Sequence, residues 1–128
     1  MKKLLTIALL LVSMVVSAQT AYTFRARAAQ LQDNDWVYGQ SVESVIKVTL
    51  AAPYVTVGST TFKLNQYEGS MPVGAEGLEY RYYSTNQTTG ARCYVSFVFW
   101  NDNSPDQLYI RYSDMILALT IKPGYKLL

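Results

Sequence analysis

The stretch DQLYIRYSDMILALTIKP, residues 106–123, limits the fold more than any other in the chain. Leu108, Ile110 and Tyr112 alternate with Tyr109, Arg111 and Ser113, so an extended backbone puts the two sets on opposite faces, one for a core and one for water. Ser113-Asp114 breaks the pattern with turn chemistry, and Met115, Leu117, Leu119 and Ile121 then alternate with Ile116 and Ala118. Two strands joined this tightly run antiparallel, because parallel pairing needs a long crossover.

The same period recurs along the chain. Short alternating or β-branched runs span 22–31, 44–51, 54–57, 61–67, 78–84, 92–100, 107–112 and 115–122. Ile46, Val48 and Leu50 oppose Lys47 and Thr49; Leu78, Tyr80 and Tyr82 oppose Glu79 and Arg81; and Cys93, Val95, Phe97 and Phe99 share one face. Gly58-Ser59, Thr89-Gly90, 101–105 and Ser113-Asp114 carry turn residues, and Pro53 interrupts any ladder because it has no N–H to give. The pattern predicts an all-β domain, an antiparallel meander of about eight short strands closed as a small barrel or a sandwich, since an open meander leaves exposed edges. Residues 22–31, with FRARAAQLQ, are also compatible with one short N-terminal helix, and 68–77, holding three glycines and Pro72, reads as the longest loop.

The start of the chain has a different role. Lys2 and Lys3 precede an uncharged run from Leu4 to Ala18, too short for a comfortable membrane span, and Val16-Ser17-Ala18 offers the small residues that signal peptidase reads. Residues 1–18 are expected to be a cleaved export signal and 19–128 a single β domain in a secreted or periplasmic protein, without stable membrane insertion after cleavage. Cleavage takes two of the 11 basic side chains and leaves nine against nine acids. The five arginines and remaining lysines lie scattered along the sequence, so nucleic-acid binding, which needs a concentrated basic stripe, is not expected.

The mature chain of 110 residues, from 128, is long enough to bury a core without staples. Cys93 is the one cysteine, expected to be buried rather than paired between chains.

Reactive chemistry is sparse. The chain has no histidine, which removes Ser-His and Cys-His nucleophile pairs and the commonest ligand of zinc and other transition metals. No catalytic residue, metal or cofactor is assigned. Glu76 with Glu79, or Asp33 with Asp35, are the carboxylate pairs a glycosidase-like hydrolase would require, and surface acids of this kind are usually solvated. Asp33-Asn34-Asp35 and NDNSPD (101–106) carry closely spaced oxygen ligands for calcium, but turn formation uses the same residues and neither fills a twelve-residue calcium loop. Asn86-Gln87-Thr88 matches the N-glycosylation pattern and equally suits a turn.

The positive functional signal is aromatic. Of 11 tyrosines and two tryptophans, Tyr80, Tyr82, Tyr94 and Trp100 fall on two neighbouring predicted strands, where they suit a ligand cavity, a recognition surface or cross-strand packing. The segments WVY (36–38), GARCYV (90–95), LYIRYSD (108–114) and IKP (121–123) behind a signal sequence resemble small secreted bacterial β-proteins of unassigned function. That resemblance implies an antiparallel fold and brings no catalytic residue with it. A lipocalin-like arrangement would place Gly-x-Trp near the first strand, whereas here Trp36 precedes Gly39. The functional expectation is an exported, non-catalytic binding or interaction module whose partner is an unknown protein or small hydrophobic ligand. The alternative is a carrier with a barrel cavity, and the outsider is a carboxylate hydrolase.

Overall fold

Asp33 and Asn34 take φ values of 50° and 67°, and Gln32 lies opposite Asp35, which together make a two-residue hairpin turn of the type that needs left-handed backbone at both positions. Asp and Asn are among the non-glycine residues that enter this region most readily. The turn joins β1 (Ala18–Gln32) to β2 (Asp35–Tyr38) in the computed structural model, which describes residues 18–123 and 127, with side chains from Ala21 onward. All of the expected export signal except Ala18 lies outside the described residues.

Seven strands follow: β3 (Val42–Ala51), β4 (Tyr54–Val57), β5 (Thr60–Val73), β6 (Gly77–Asn86), β7 (Arg92–Trp100), β8 (Gln107–Arg111) and β9 (Met115–Ile121). Each pairs antiparallel with its neighbour, and β9 returns to β1 with Phe24 opposite Ile121 and Gln30 opposite Met115. The result is a closed eight-stranded barrel with β2 as one added strand, a barrel and not a sandwich.

No helix forms at 22–31. This segment lies inside β1, which pairs along Ala18–Ala26 with β3 and along Phe24–Gln30 with β9. A helix there would strip both neighbours of their partner and expose Phe24, which is fully buried, so ladder closure overrides the helix propensity of the alanines.

The expected loop at 68–77 is also largely strand. β5 runs to Val73 through register shifts between Leu64 and Gln66 and between Tyr67 and Gly69, where Gly69 takes φ 106°, a conformation that a side chain would strain. Pro72 is tolerated because β4 pairs with β5 only as far as Lys63, and no described strand pairs with the far side of Pro72.

β2 and β3 lie on the same edge of β1. Tyr38 is opposite Ala29 and Val42 is opposite Ala26, so 35–51 act as one strand interrupted at 39–41, where the Gly39 N–H donates to the Ala28 carbonyl at 2.8 Å. β4 reaches β3 only from Val48 onward, and no described strand pairs with β2 or with 42–46 on the side away from β1.

Inside, the alternation holds as expected: Val48, Leu50, Tyr80, Tyr82, Cys93, Val95, Phe97, Phe99, Leu108, Ile110, Leu119 and Ile121 are buried in one cluster. A barrel of eight strands is about wide enough for side chains to fill. At its lower end the Trp100 ring lies over Gly77, its register partner, and a Cβ added at Gly77 would stand 2.8 Å from that ring and 2.7 Å from the Val73 carbonyl oxygen. Gly77→Ala should therefore cost about 1–3 kcal/mol in urea unfolding. Gly39→Ala, whose Cβ meets nothing nearer than 3.5 Å, should cost less than about half a kcal/mol. Equal midpoints for the two variants would contradict this packing.

Candidate functional site

β6 and β7 are neighbours, as the aromatic pattern requires, but they do not bring Tyr80, Tyr82, Tyr94 and Trp100 together. Tyr80 and Tyr82 alternate into the barrel. Tyr82 packs against Tyr67 with ring centroids 5.2 Å apart and edge-on to Phe97, Tyr80 packs against Phe99, and the buried Tyr80 hydroxyl has no hydrogen-bond partner among the described residues. Burial pushes both phenols up, Tyr82 to about 12. Tyr94 and Trp100 share the opposite parity on β7 and sit on the outer wall, Tyr94 half-exposed against Tyr83 and beneath the Arg81 guanidinium, Trp100 over Gly77.

The two barrel ends differ. At one, the backbone N–H of buried Leu127 donates to Oδ2 of buried Asp106 at 3.2 Å, and the Tyr22 hydroxyl donates to the Leu127 carbonyl at 2.8 Å. The segment after β9 thus folds back onto that end. At the other, Val57, Phe62, Ile110 and Leu117 line a cavity of about 190 Å³ whose rim carries Asn86 and Tyr112. Beside it, Gln30, Leu31, Thr89 and Asp114 border an open groove that shares Asn86, Tyr112 and Met115. Asn86 is committed locally: its side-chain nitrogen donates to the Tyr112 hydroxyl, and its oxygen accepts from the Thr88 and Thr89 N–H groups, which is the turn role.

The acids nominated for catalysis or calcium are likewise occupied. Asp33 forms the β1–β2 turn, Asp102 accepts from the Ser104 N–H, and Asp106 holds Leu127. Glu79, 4% exposed on the outer wall, accepts from Arg81 Nε and Nη2 at 3.0 and 2.9 Å and from Arg111 Nη1 and Nη2 at 3.1 and 3.3 Å. Arg111 also donates to Ser96, which is fully buried, so Arg111 is a structural clamp and not the freely solvated side chain that alternation alone implies.

Folding also reverses the scatter of the arginines. Arg25 and Arg27 on β1, Arg81 on β6, Arg92 on β7 and Arg111 on β8 each alternate with core residues, so all five project from the outer wall of the continuous sheet β6-β7-β8-β9-β1. Tyrosines stand among them: guanidinium carbons lie 4.5 Å from the Tyr38 ring centroid for Arg27, 5.5 Å from that of Tyr94 for Arg81 and 4.6 Å from that of Tyr109 for Arg111. Strand spacing in sequence hides this convergence, since it appears only once the registers of five strands are known. The β2 hairpin, by contrast, was detectable from Asp33-Asn34 between Leu31 and Trp36, an apolar pair that the turn places face to face.

Arg111→Gln should cost about 2 kcal/mol in urea unfolding, because it leaves Glu79 buried with a single cationic partner. Adding Glu79→Gln should recover part of that loss by removing the uncompensated charge. A single variant as stable as wild type would show that the clamp contributes nothing.

Stability should also fall in alkali. Burial pushes the Cys93 thiol from its ordinary 9.0 up to about 11, and Tyr82 from 10.0 to about 12. Groups that keep their protons longer when folded lend stability that is complete below the unfolded pKa and lost as pH rises through the folded one. The urea midpoint should thus be unaffected by these groups below about pH 9 and decline between about 9 and 12; a midpoint unchanged at pH 12 would contradict their burial.

No family model, no curated protein and no solved structure matches this chain.

Proposed function

We propose that the protein is a non-catalytic interaction module that engages its partner through the outside of the barrel. A carrier needs interior space for its ligand, and ligand pockets usually span roughly 300 Å³ or more. Among the described residues the cavity that enters the barrel is about 190 Å³, and the remaining interior is occupied by the core cluster. The observation that carries the proposal lies on β2 and the start of β3. Val37, Tyr38, Val42 and Val45 are 47%, 52%, 58% and 72% exposed along an edge that no described strand covers. Exposed apolar side chains on an unprotected edge are an aggregation liability that a monomeric β protein normally blunts with charge or a covering loop, so their retention here supports a binding role.

A photo-crosslinking residue in place of Val37 should give a discrete adduct in the protein's native fluid, while the same residue in place of exposed Lys63 on β5 should not. Val37→Ser with Val45→Ser should abolish capture yet leave stability within about 1 kcal/mol, two surface changes of about half a kcal/mol each. Leu117→Trp, which fills the cavity, should leave capture intact. Capture lost with the cavity filled, and retained without Val37 and Val45, would reverse the proposal in favour of a carrier.

A further inference from the structure

We infer that the arginine-tyrosine wall is the docking surface for an acidic polypeptide, a segment whose Asp and Glu carboxylates seat on Arg25, Arg27 and Arg92. This rests on the protein being an interaction module and names the chemistry of its partner.

Charge is the first ground. Strands β1, β6, β7, β8 and β9 hold all five arginines and one acid, Glu79, whereas the other eight acids lie in the connections or on β2, β3 and β5. A chain whose segment 19–128 is formally neutral thus presents one cationic wall. These five strands contain arginine and no lysine. Guanidinium is planar, less strongly hydrated than ammonium, and matches a carboxylate with two parallel hydrogen bonds.

The wall already displays this recognition once, where Arg81 and Arg111 enclose Glu79. Arg25, Arg27 and Arg92 are exposed and make no ion pair among the described residues, even though Glu43 is the register partner of Arg25. Arg25 and Arg27 stand two residues apart on one strand face, a spacing of about 7 Å. An extended peptide with carboxylates at alternate positions repeats that distance. Tyr38, stacked under Arg27, continues the wall into the exposed apolar edge of β2, so an acidic segment with apolar neighbours would meet both surfaces.

The same geometry disfavours single-stranded nucleic acid. Binding of that kind uses a groove and free aromatic faces for stacked bases. Here the faces of Tyr38, Tyr94 and Tyr109 are covered by guanidiniums on the convex outside of a barrel.

The test is fluorescence anisotropy at low ionic strength with a labelled peptide of alternating Glu and Thr, its Gln-Thr counterpart, and an oligothymidylate of equal charge. The acidic peptide should bind saturably and weaken with added salt, and Arg25→Gln with Arg27→Gln should reduce affinity roughly tenfold, Arg92→Gln by less, and Lys63→Gln hardly at all. Circular dichroism and the urea midpoint of the arginine variants should match wild type, since none of these three side chains is buried. Equal binding of the Gln-Thr peptide, undiminished binding by the double arginine variant, or tighter binding of the oligothymidylate would overturn the acidic partner. If the wild type ignores the acidic peptide while crosslinking from position 37 persists, the partner chemistry is wrong and the interaction module stands; if both fail, both fall.

Discussion

The pairing of β1 with β9 is the constraint on which the rest of the structure depends. β1 is 15 residues long and serves three partners: β3 along its first half, β9 along its second, and β2 at its tip. Closing the ring satisfies the backbone edges that a meander would otherwise leave open, at the entropic cost of joining strands nearly a hundred residues apart. Closure also fixes register, and register decides which side chains point inward, because a slip of one residue would turn every core residue to solvent. The clasp of Leu127 by Asp106 and Tyr22 reinforces the same seam at one end of the barrel.

Once the ring is closed, the two sides of each strand acquire different functions. Inward positions are taken by a continuous apolar cluster with Phe97 and Tyr80 near its centre, which stabilises the fold and leaves little room for a guest. Outward positions on five adjacent strands carry the arginines, and the buried Glu79 shows what such a surface costs: a carboxylate removed from water must be held by two guanidiniums and supported by Ser96 beneath. Stacking each of Arg27, Arg81 and Arg111 on a tyrosine orients the guanidiniums and reduces the side-chain entropy lost on docking.

Much of the fold was legible in the sequence wherever burial is one-sided and periodic. The segment 92–100 matches β7 and 54–57 matches β4, because Cys93 to Phe99 and Val55 with Val57 alternate without interruption. The segment 68–73 was not legible, since Gly69 and Pro72 signal a loop locally while the bulge at Gly69 lets the chain return to its ladder. β2 escaped notice because its four residues are all exposed and so show no burial period. Of the four aromatic residues singled out, parity alone separates the interior pair, Tyr80 and Tyr82, from the exterior pair, Tyr94 and Trp100; adjacency of strands was legible but convergence on one face was wrongly inferred from it. The arginine wall required the closed topology itself, as no local pattern links Arg27 to Arg111.

The central claim is that recognition happens on the wall and its adjoining edge and not in the barrel. It is tested most directly by following arginine side-chain N–H signals and core methyl signals by nuclear magnetic resonance while an acidic peptide is added. The account predicts saturable shifts for Arg25, Arg27 and Arg92, with the methyls of Ile110 and Leu117 unmoved. Movement of those methyls with the arginine signals unchanged would contradict it.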